Sequence, residues 1–433
     1  MTNEFTLDEL EAGIKSKPVV VANAANAAND DSIFADIEDD LAALNRAADV
    51  NARHPGLVDG FHSGKNMLHS ELVDYLGDER HFYSVKGRQF FYFTGTHYEK
   101  MCKESYKQQI FEITQDLASN HNANTSVDQA YAKLLIEDPE KHFKDPFGII
   151  NCKNGMVNIS TGDRVPHSPE YNFKYVLPYD YDPDATCPGW EQTMHNVFEG
   201  NQETIEDFRT AAAYTILGGY PTAHVAFFLY GPSHTGKSTA VDALQEVFGH
   251  DNISTLSMTM LGEKFEKVLG EGKIAHFDSE VPDQKLAESK DVKSVLAGDK
   301  VGLENKGKDK RNGYLWGRFW LTGNDPIQFS NGVDDAIIRR FIIFPFLKHF
   351  TADERAANKG LKEQLKRERA GILNWILKRF QYDDFKNQKV VAGERLKLDV
   401  TPCKAGLAIQ NELNCKADIV YDWVSHIVFD ENS

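Results

Sequence analysis

The spacing of apolar and polar residues changes several times along the chain, which predicts alternating helices and strands. Aromatic and polar residues alternate over residues 81–98, and this pattern predicts a small hairpin or meander. Residues 103–120 and 195–217 have the spacing of helices, while residues 151–159 have that of short strands joined by a tight turn. The first half of the chain therefore contains a small α+β region.

The second half holds continuous apolar runs, which are typical of parallel strands that are covered on both faces. The runs are residues 224–230, 273–277, 319–322 and 341–346. After the first run, Val241, Leu244 and Phe248 share one helix face, and Gly249 stands where a helix end favours glycine. This alternation predicts an α/β fold with a parallel central sheet.

Residues 211–236 contain no charged side chain, so they have to be considered as a membrane span. A transmembrane helix needs about 20 consecutive apolar residues. Gly218, Gly219 and Pro221 interrupt this run, which favours a buried helix, a turn and a buried strand. We therefore predict no membrane partner.

Composition sets the first 60 residues apart from the remainder. They contain a low-complexity run at residues 19–29 and 12 acidic against four basic side chains, as in a disordered tail. The net charge of −17 for the whole chain excludes a protein that coats nucleic acid with its entire surface, but not one with a local basic surface. Five cysteines without C-x-x-C spacing, and an acidic N-terminus without an apolar signal segment, predict a cytoplasmic protein.

A glycine-rich loop separates the first apolar run from the helix that follows it. It reads G-x-x-x-x-G-K-S, and its residues are Gly231, Pro232, Ser233, His234, Thr235, Gly236, Lys237, Ser238 and Thr239. Between a strand and a helix this pattern binds nucleotide phosphates. Backbone N–H groups and the helix N-terminus surround the phosphates, Lys237 adds a positive charge, and the Ser238 hydroxyl can bind Mg²⁺.

Polar side chains follow the second and third apolar runs. Asp278 and Glu280 come after the second run. If that run forms a strand next to the strand that precedes the glycine-rich loop, the two acids would hold Mg²⁺ and polarise water. The alternative is a strand end with two solvated acids. Asn324 comes after the third run, where it either orients an attacking water or belongs to an ordinary Asn-Asp-Pro turn.

Two basic features complete the candidate chemistry. Arg339 and Arg340 precede the fourth run, as structural ion-pair partners or as groups that reach the nucleotide of a neighbouring subunit. Residues 300–318 hold six basic and two acidic side chains, and Lys306, Lys308 and Lys310 lie between predicted strands at 301–303 and 314–316. Such a hairpin either carries solvated charge or grips a nucleic-acid backbone.

In this order the motifs resemble those of the superfamily 3 helicases, and more narrowly the helicase module of phage, plasmid and poxvirus primase-helicases. The supporting segments are the glycine-rich loop, residues 278–280, 292–299, 321–324 and 339–341. Segments outside the core also resemble phage relatives, namely residues 154–158, 181–190 and 371–375.

The resemblance implies a P-loop ATPase core of the AAA+ type that assembles as a ring, usually a hexamer. Such a ring uses ATP and Mg²⁺ to move along single-stranded DNA and to unwind forked duplex during DNA replication. Lys237 and Ser238 would bind phosphate and Mg²⁺, and Asn324 would be the sensor. Asp278 and Glu280 would be the acidic pair, with Asp278 as a metal ligand and Glu280 as the favoured general base, although Ser279 separates acids that are often adjacent in the family.

The resemblance also implies roles in neighbouring subunits. The arginine finger directly precedes a hydrophobic strand in the family, which favours Arg340, with Arg339 as the close alternative. Lys306 best matches the lysine of the DNA-gripping hairpin, with Lys308 and Lys310 beside it. A primase or polymerase on another chain is a candidate partner, because no primase domain is evident upstream.

These patterns divide the chain into five predicted segments. They are an acidic tail (1–60), an N-terminal α+β domain (61–194), a helical collar (195–222), the ATPase core (223–348) and a C-terminal helical segment (349–433).

Two other function classes stay open. A loader or remodeller of a protein or nucleoprotein would favour aromatic pore residues over Lys306 and Lys308, and a small-molecule kinase would not need Asn324. An RNA substrate also stays open.

Overall fold

A computed structural model of the 433-residue chain describes most of the chain between residues 62 and 417. The described residues are 62–63, 66–67, 69–86, 89–113, 120–144, 148–278, 289–306, 310–325, 337, 339–381, 398 and 400–417. The acidic tail predicted for residues 1–60 lies outside them. The chain forms two compact units, one from the residues up to Phe93 with Glu99–Asp138, the other from Thr94–Tyr98 with the residues from Pro139 onward. The predicted boundary at 194/195 falls inside the second unit.

The first unit is a small α+β body. Its elements are β1 (His62–Ser63), β2 (Asn66–Met67), α1 (His69–Asp78), β3 (Tyr83–Val85), β4 (Gln89–Phe93), β5 (Tyr98–Met101), α2 (Lys103–Ile113) and α3 (Asn120–Lys133). Strands β3, β4 and β5 form one sheet in that order, which confirms the predicted meander. Phe90 stacks on Tyr106 of α2 with ring centroids 4.7 Å apart, so an aromatic residue of the meander joins the apolar residues of the helices in the core of this unit.

The second unit begins with short elements that lead to two helices. They are α4 (Pro139–His142), β6 (Ile149–Cys152), β7 (Gly155–Asn158), β8 (Arg164–Val165), α5 (Pro188–Val197) and α6 (Gln202–Leu217). The single helix predicted for residues 195–217 is therefore wrong. The chain breaks at Glu199 and Gly200, whose φ angles are 51° and 76°, and Asn201 restarts the helix by accepting a 3.2 Å hydrogen bond from the Thr204 N–H.

A five-stranded parallel sheet is the centre of the second unit. Its strands and their helices are β9 (Ala226–Tyr230), α7 (Lys237–Phe248), β10 (Ile253–Ser254), β11 (Ala275–Asp278), α8 (Ser289–Leu296), β14 (Arg318–Gly323) and β15 (Phe341–Pro345). The strand order is β10-β11-β14-β9-β15. The predicted parallel sheet is confirmed, but the acidic strand β11 does not adjoin the loop strand β9. Strand β14 pairs with both of them, so the expected adjacency is wrong.

Both faces of the sheet are buried, which explains the continuous apolar runs. One face, which includes Phe227 and Trp320, packs with Phe208 of α6 and with Leu244 of α7. The opposite face, which includes Leu321, packs with residues of α8. Residues 211–236 thus comprise the end of α6, a turn and β9, as predicted. Within the described part of the chain, no helix has the length and apolar character that crossing a bilayer would require.

An antiparallel hairpin joins α8 to β14. Its strands are β12 (Val301–Leu303) and β13 (Arg311–Gly313), so the second strand lies three residues earlier than the predicted 314–316. Val301 pairs with Gly313, and the Cδ1 end of the buried Leu303 side chain packs close to this glycine. The aromatic side chains of Tyr314 and Trp316 instead pack together beyond the strand, with ring centroids 5.0 Å apart.

The C-terminal part of the described chain is helical, as predicted. Its helices are α9 (Ala352–Ala357), α10 (Leu361–Arg367), α11 (Arg369–Leu377) and α12 (Lys404–Ala417). The Glu368 carboxylate accepts hydrogen bonds from the N–H groups of Gly189 and Trp190, at 3.2 and 3.1 Å. A carboxylate at a helix N-terminus is favourable, so Glu368 fastens the C-terminal helices to α5.

Buried charge marks the amino end of the sheet. Arg318, only 2% exposed, donates to the carbonyl groups of Gly218 and Gly219 at 3.0 Å, where α6 ends. His276 is fully buried nearby and shares a 2.8 Å hydrogen bond with Ser254. Burial, together with the charges of Arg318 and Lys273, lowers the pKa of His276 to about 3. The imidazole is therefore neutral in the folded protein at neutral pH.

We predict that this histidine makes the fold sensitive to acid. Between its unfolded pKa of about 6.5 and its folded pKa of about 3, the unfolded chain binds the extra proton, so stability falls as the pH falls through this window. The free energy of unfolding, measured by urea titration from pH 7 to pH 4, should drop less steeply for His276→Leu. The difference approaches about 1.4 kcal/mol per pH unit at most. His121→Leu, at an exposed helical site, is the control, and equal slopes for His276→Leu and the natural chain would contradict the prediction.

Candidate nucleotide site

The glycine-rich loop leaves β9 through a very close backbone contact. Gly231 has a φ of 153°, and a Cβ at this position would overlap the carbonyl oxygen of Phe346. The Gly231 N–H donates to the Gly323 carbonyl at 3.2 Å, and the Phe346 N–H donates to the Tyr230 carbonyl at 2.8 Å. The first glycine of the motif is thus required by the packing of β9 against the ends of β14 and β15.

Hydrogen bonds fix the conformation of the loop at the N-terminus of α7. Thr235 is 1% exposed and donates to the Pro232 carbonyl at 2.9 Å, while the His234 carbonyl accepts from the Phe350 N–H at 3.0 Å. Gly236 has a φ of 93° and precedes α7 without a side-chain cap. The N–H groups of the first turn of α7 are therefore available to an anion.

Lys237 lies between the loop and the end of β14. Its ammonium group donates to the carbonyl groups of Gly231 and Pro232, the latter at 2.7 Å, and to Asn324 Oδ1 at 2.9 Å. Burial lowers the pKa of Lys237. The structure thus brings together two residues that are 87 positions apart and that the sequence assigned separately.

A cavity of about 850 Å³ opens over the loop. Its lining includes the predicted residues Ser233 to Thr239 and Asn324. It also includes residues that the sequence analysis missed, from α5 and from the C-terminal segment: Thr193, Val197, Phe350, Glu354, Arg355, Asn358, Lys359, Leu361 and Lys362. One sequence pattern could have indicated a helix among these residues. Thr351 and Glu354 form a capping box, in which they bond each other at the start of α9.

The charges around the cavity favour a polyanion. Lys237, Arg355, Lys359 and Lys362 line it, against two acids. Of the C-terminal cations, Lys362 pairs with Asp242 of α7, and Arg355 donates to the Phe350 carbonyl at 2.7 Å. A triphosphate bound at the loop would therefore meet positive charge from two sides.

Asp278 lies at the carboxyl end of β11, in register with Leu321, on the sheet face opposite to α7. It is 6% exposed and does not line the cavity. Its Oδ2 accepts from the Ser257 hydroxyl at 2.8 Å and from the Met258 N–H at 3.1 Å. Burial raises the pKa of Asp278, and these two hydrogen bonds oppose the rise. Glu280, the other acid of the predicted pair, lies outside the described residues.

The two candidate finger arginines lie at the other end of the sheet. They directly precede β15, whose first residue pairs with Ala226, the first residue of β9. Arg340 is half-buried and donates to the His224 carbonyl at 3.5 Å, whereas Arg339 is exposed. The four residue steps of β9 separate them from the loop by about 13 Å along the strand. Within one chain, the structure does not bring these arginines to the cavity.

Some of the basic side chains of residues 300–318 make structural contacts. Arg311 pairs with Glu271, and Arg318 binds the end of α6. Lys306, just after β12, and Lys310, just before β13, are exposed. Lys308 lies outside the described residues. Exposed positive charge thus remains at the end of the hairpin that is remote from the sheet.

Solved structures similar to this chain share little sequence with it. "The A form apo structure of NrS-1 C terminal region-CTR" has 15% identity and a TM-score of 0.48, covering 78% of this chain and 72% of that one. "The apo structure of NrS-1 C terminal region (305-718)" has 15% identity and a TM-score of 0.48, covering 77% and 73%.

Two family models match separate parts of the chain. The first, described as "D5 N terminal like", matches residues 70–199, which run from α1 to just after the end of α5. The second, a family of unknown function (DUF5906), matches residues 229–340, from the end of β9 to the start of β15. The D5 N terminal like segment confirms the resemblance of this chain to the phage, plasmid and poxvirus primase-helicases.

Proposed function

We propose that this chain is an ATP-dependent replicative DNA helicase that assembles as a ring. The observation that carries the proposal is the meeting of Lys237 and Asn324 at the cavity over the glycine-rich loop. A lysine for the phosphates and an amide for the attacking water are what hydrolysis at a P-loop needs. The match of residues 70–199 supports the resemblance to the primase-helicases, and that resemblance implies an AAA+ type of core around this pair.

Mg²⁺ fits part of the site. Ser238 lines the cavity, and among the described residues Oδ1 of Asp278 accepts no hydrogen bond, whereas Oδ2 accepts two. We propose Ser238 as a ligand, whereas Asp278 does not line the cavity, so its role as the second ligand stays a prediction, as does the role of Glu280 as the general base. Bound Mg²⁺ would neutralise charge that develops on the phosphates. The residues of the chain would hold the phosphates at the N-terminus of α7 and orient water at Asn324.

A shared active site gives a reason for the ring. Arg339 and Arg340 lie about 13 Å along the sheet from the loop of their own chain, so neither is placed to stabilise phosphate there. At the start of β15 they can contact the nucleotide that a neighbouring subunit binds, as an arginine finger does. In such a ring, Lys306, Lys308 and Lys310 would line a central pore and track a DNA backbone without reading its bases.

The first prediction from the proposed function concerns the loop. Lys237→Ala should weaken ATP binding by about tenfold to a hundredfold, because charge-assisted hydrogen bonds to phosphate are lost, and should abolish hydrolysis. Isothermal titration and a phosphate-release assay measure the two effects. Lys144→Ala, an exposed lysine of the same unit, is the control. Unchanged ATP affinity in Lys237→Ala would rule out this loop as the nucleotide site.

A second prediction concerns sharing between subunits. Arg340→Ala should lower ATP hydrolysis by about a thousandfold or more while ATP still binds. Mixing Arg340→Ala with Lys237→Ala chains should restore part of the activity, because some junctions then combine an intact loop with an intact arginine. Arg339→Ala in the same assay distinguishes the two arginines, and Arg164→Ala is the surface control. No recovery in mixed rings, with assembly shown by mass photometry, would argue against a shared site.

A third prediction concerns DNA. Lys306→Ala should abolish unwinding of a forked duplex and reduce the salt dependence of DNA binding, because a phosphate contact is lost, while basal ATPase activity persists. Lys153→Ala, an exposed lysine elsewhere in the second unit, is the matched control. Normal unwinding by Lys306→Ala would contradict this role, and ATPase activity without unwinding in the natural chain would favour the loader or remodeller.

A further inference from the structure

A smaller pocket of about 320 Å³ adjoins the nucleotide cavity on the side of α5. Thr193, Phe350, Asn358 and Leu361 line both spaces, so the two are continuous. Thr193 is buried, and Phe350 and Leu361 are half-buried apolar side chains. Pockets for small molecules combine such apolar walls with a few polar groups, and both volumes lie near the usual range of about 300–1,000 Å³.

Carboxamides dominate the polar groups of this pocket, and each uses one polar atom within the protein. Gln192 donates to Asn196 Oδ1 at 2.8 Å, Asn358 donates to the Glu354 carbonyl at 2.9 Å, and Gln364 donates to Glu368 at 2.9 Å. Gln192 Oε1 and Asn196 Nδ2 have no partner among the described residues. One turn of α5 thus presents an acceptor and a donor side by side, held by their mutual hydrogen bond.

We propose that this side pocket holds the nucleobase of the bound nucleotide and that the Gln192–Asn196 pair selects adenine. The inference rests on the proposed nucleotide site and adds its base specificity. Gly236 connects the two places, because a Cβ on it would lie 3.1 Å from Val197 and 3.5 Å from Phe350. Val197 follows Asn196 directly, so the base pocket starts where the phosphate loop ends.

Adenine fits the pair better than guanine does. Adenine presents an amino donor beside the N7 acceptor, and a carboxamide donor and acceptor can bond both. Guanine presents two acceptors, O6 and N7, on the same edge, so one protein acceptor would face another acceptor. Phe350 and Leu361 would contact the faces or rim of either base, so the apolar walls contribute affinity and the carboxamides contribute selectivity.

The test compares binding of ATP, GTP and inorganic triphosphate to the full chain by isothermal titration. We expect ATP to bind about tenfold to a hundredfold more tightly than GTP. Gln192→Leu and Asn196→Leu should each reduce this ratio towards one while leaving triphosphate affinity unchanged. Gln192 is exposed, so its replacement leaves the core intact, and triphosphate binding reports that the loop is still formed. Gln108→Leu, an exposed glutamine on α2, is the matched control and should keep the ratio.

The outcomes separate the base pocket from the nucleotide site. Equal affinities for ATP and GTP with normal triphosphate binding would overturn the base pocket and leave the phosphate loop standing. An ATP preference that both leucine variants retain would likewise overturn the assignment to Gln192 and Asn196. Failure of the natural chain to bind triphosphate and ATP would overturn the nucleotide site itself, and the base pocket with it.

Discussion

The close contact between Gly231 and the Phe346 carbonyl is the constraint on which the candidate site depends. Because no side chain intervenes, the loop leaves β9 directly beside the chain that leaves β15. The segment after β15 then runs along the loop, and the Phe350 N–H bonds the His234 carbonyl. This path delivers α9 to the edge of the cavity. One missing Cβ therefore decides both the shape of the loop and which residues face it.

A second attachment gives the cavity its opposite wall. Glu368 binds the N-terminus of α5 through two backbone N–H groups, and Trp375 of α11 packs edge-on against Trp190 with ring centroids 5.7 Å apart. Because α5 is held at its start, Thr193 and Val197 are fixed near the loop one and two turns later. Segments nearly 180 residues apart in sequence thus enclose one space, and the glycine-rich loop supplies only its floor.

Local patterns predicted the features that depend on local interactions. The sequence predicted the loop, the helix after it and the apolar strands, because glycine spacing and continuous apolar runs have few alternative explanations. The order of the strands was not, since only cross-strand pairing reveals that β14 separates β11 from β9. The register of β13 was not predicted either, because the aromatic alternation at residues 314–316 favoured a later strand, whereas Val301 pairs with Gly313. The break before Asn201 required a positive φ at Glu199, which few residues other than glycine adopt.

Strand β14 links the two ends of the sheet, and this gives the proposed motor a physical connection. The hairpin that carries Lys306 directly precedes β14, and Asn324, which contacts Lys237, directly follows it. All six residues of the strand are buried, its first four pair with β11 and its last four with β9, so neighbours hold it on both sides. Arg318 ties its first residue to the end of α6. A shift at Asn324 when phosphate leaves would therefore reach the start of β14 through a buried strand of about 17 Å, and residues 314–317 connect that end of the strand to the hairpin.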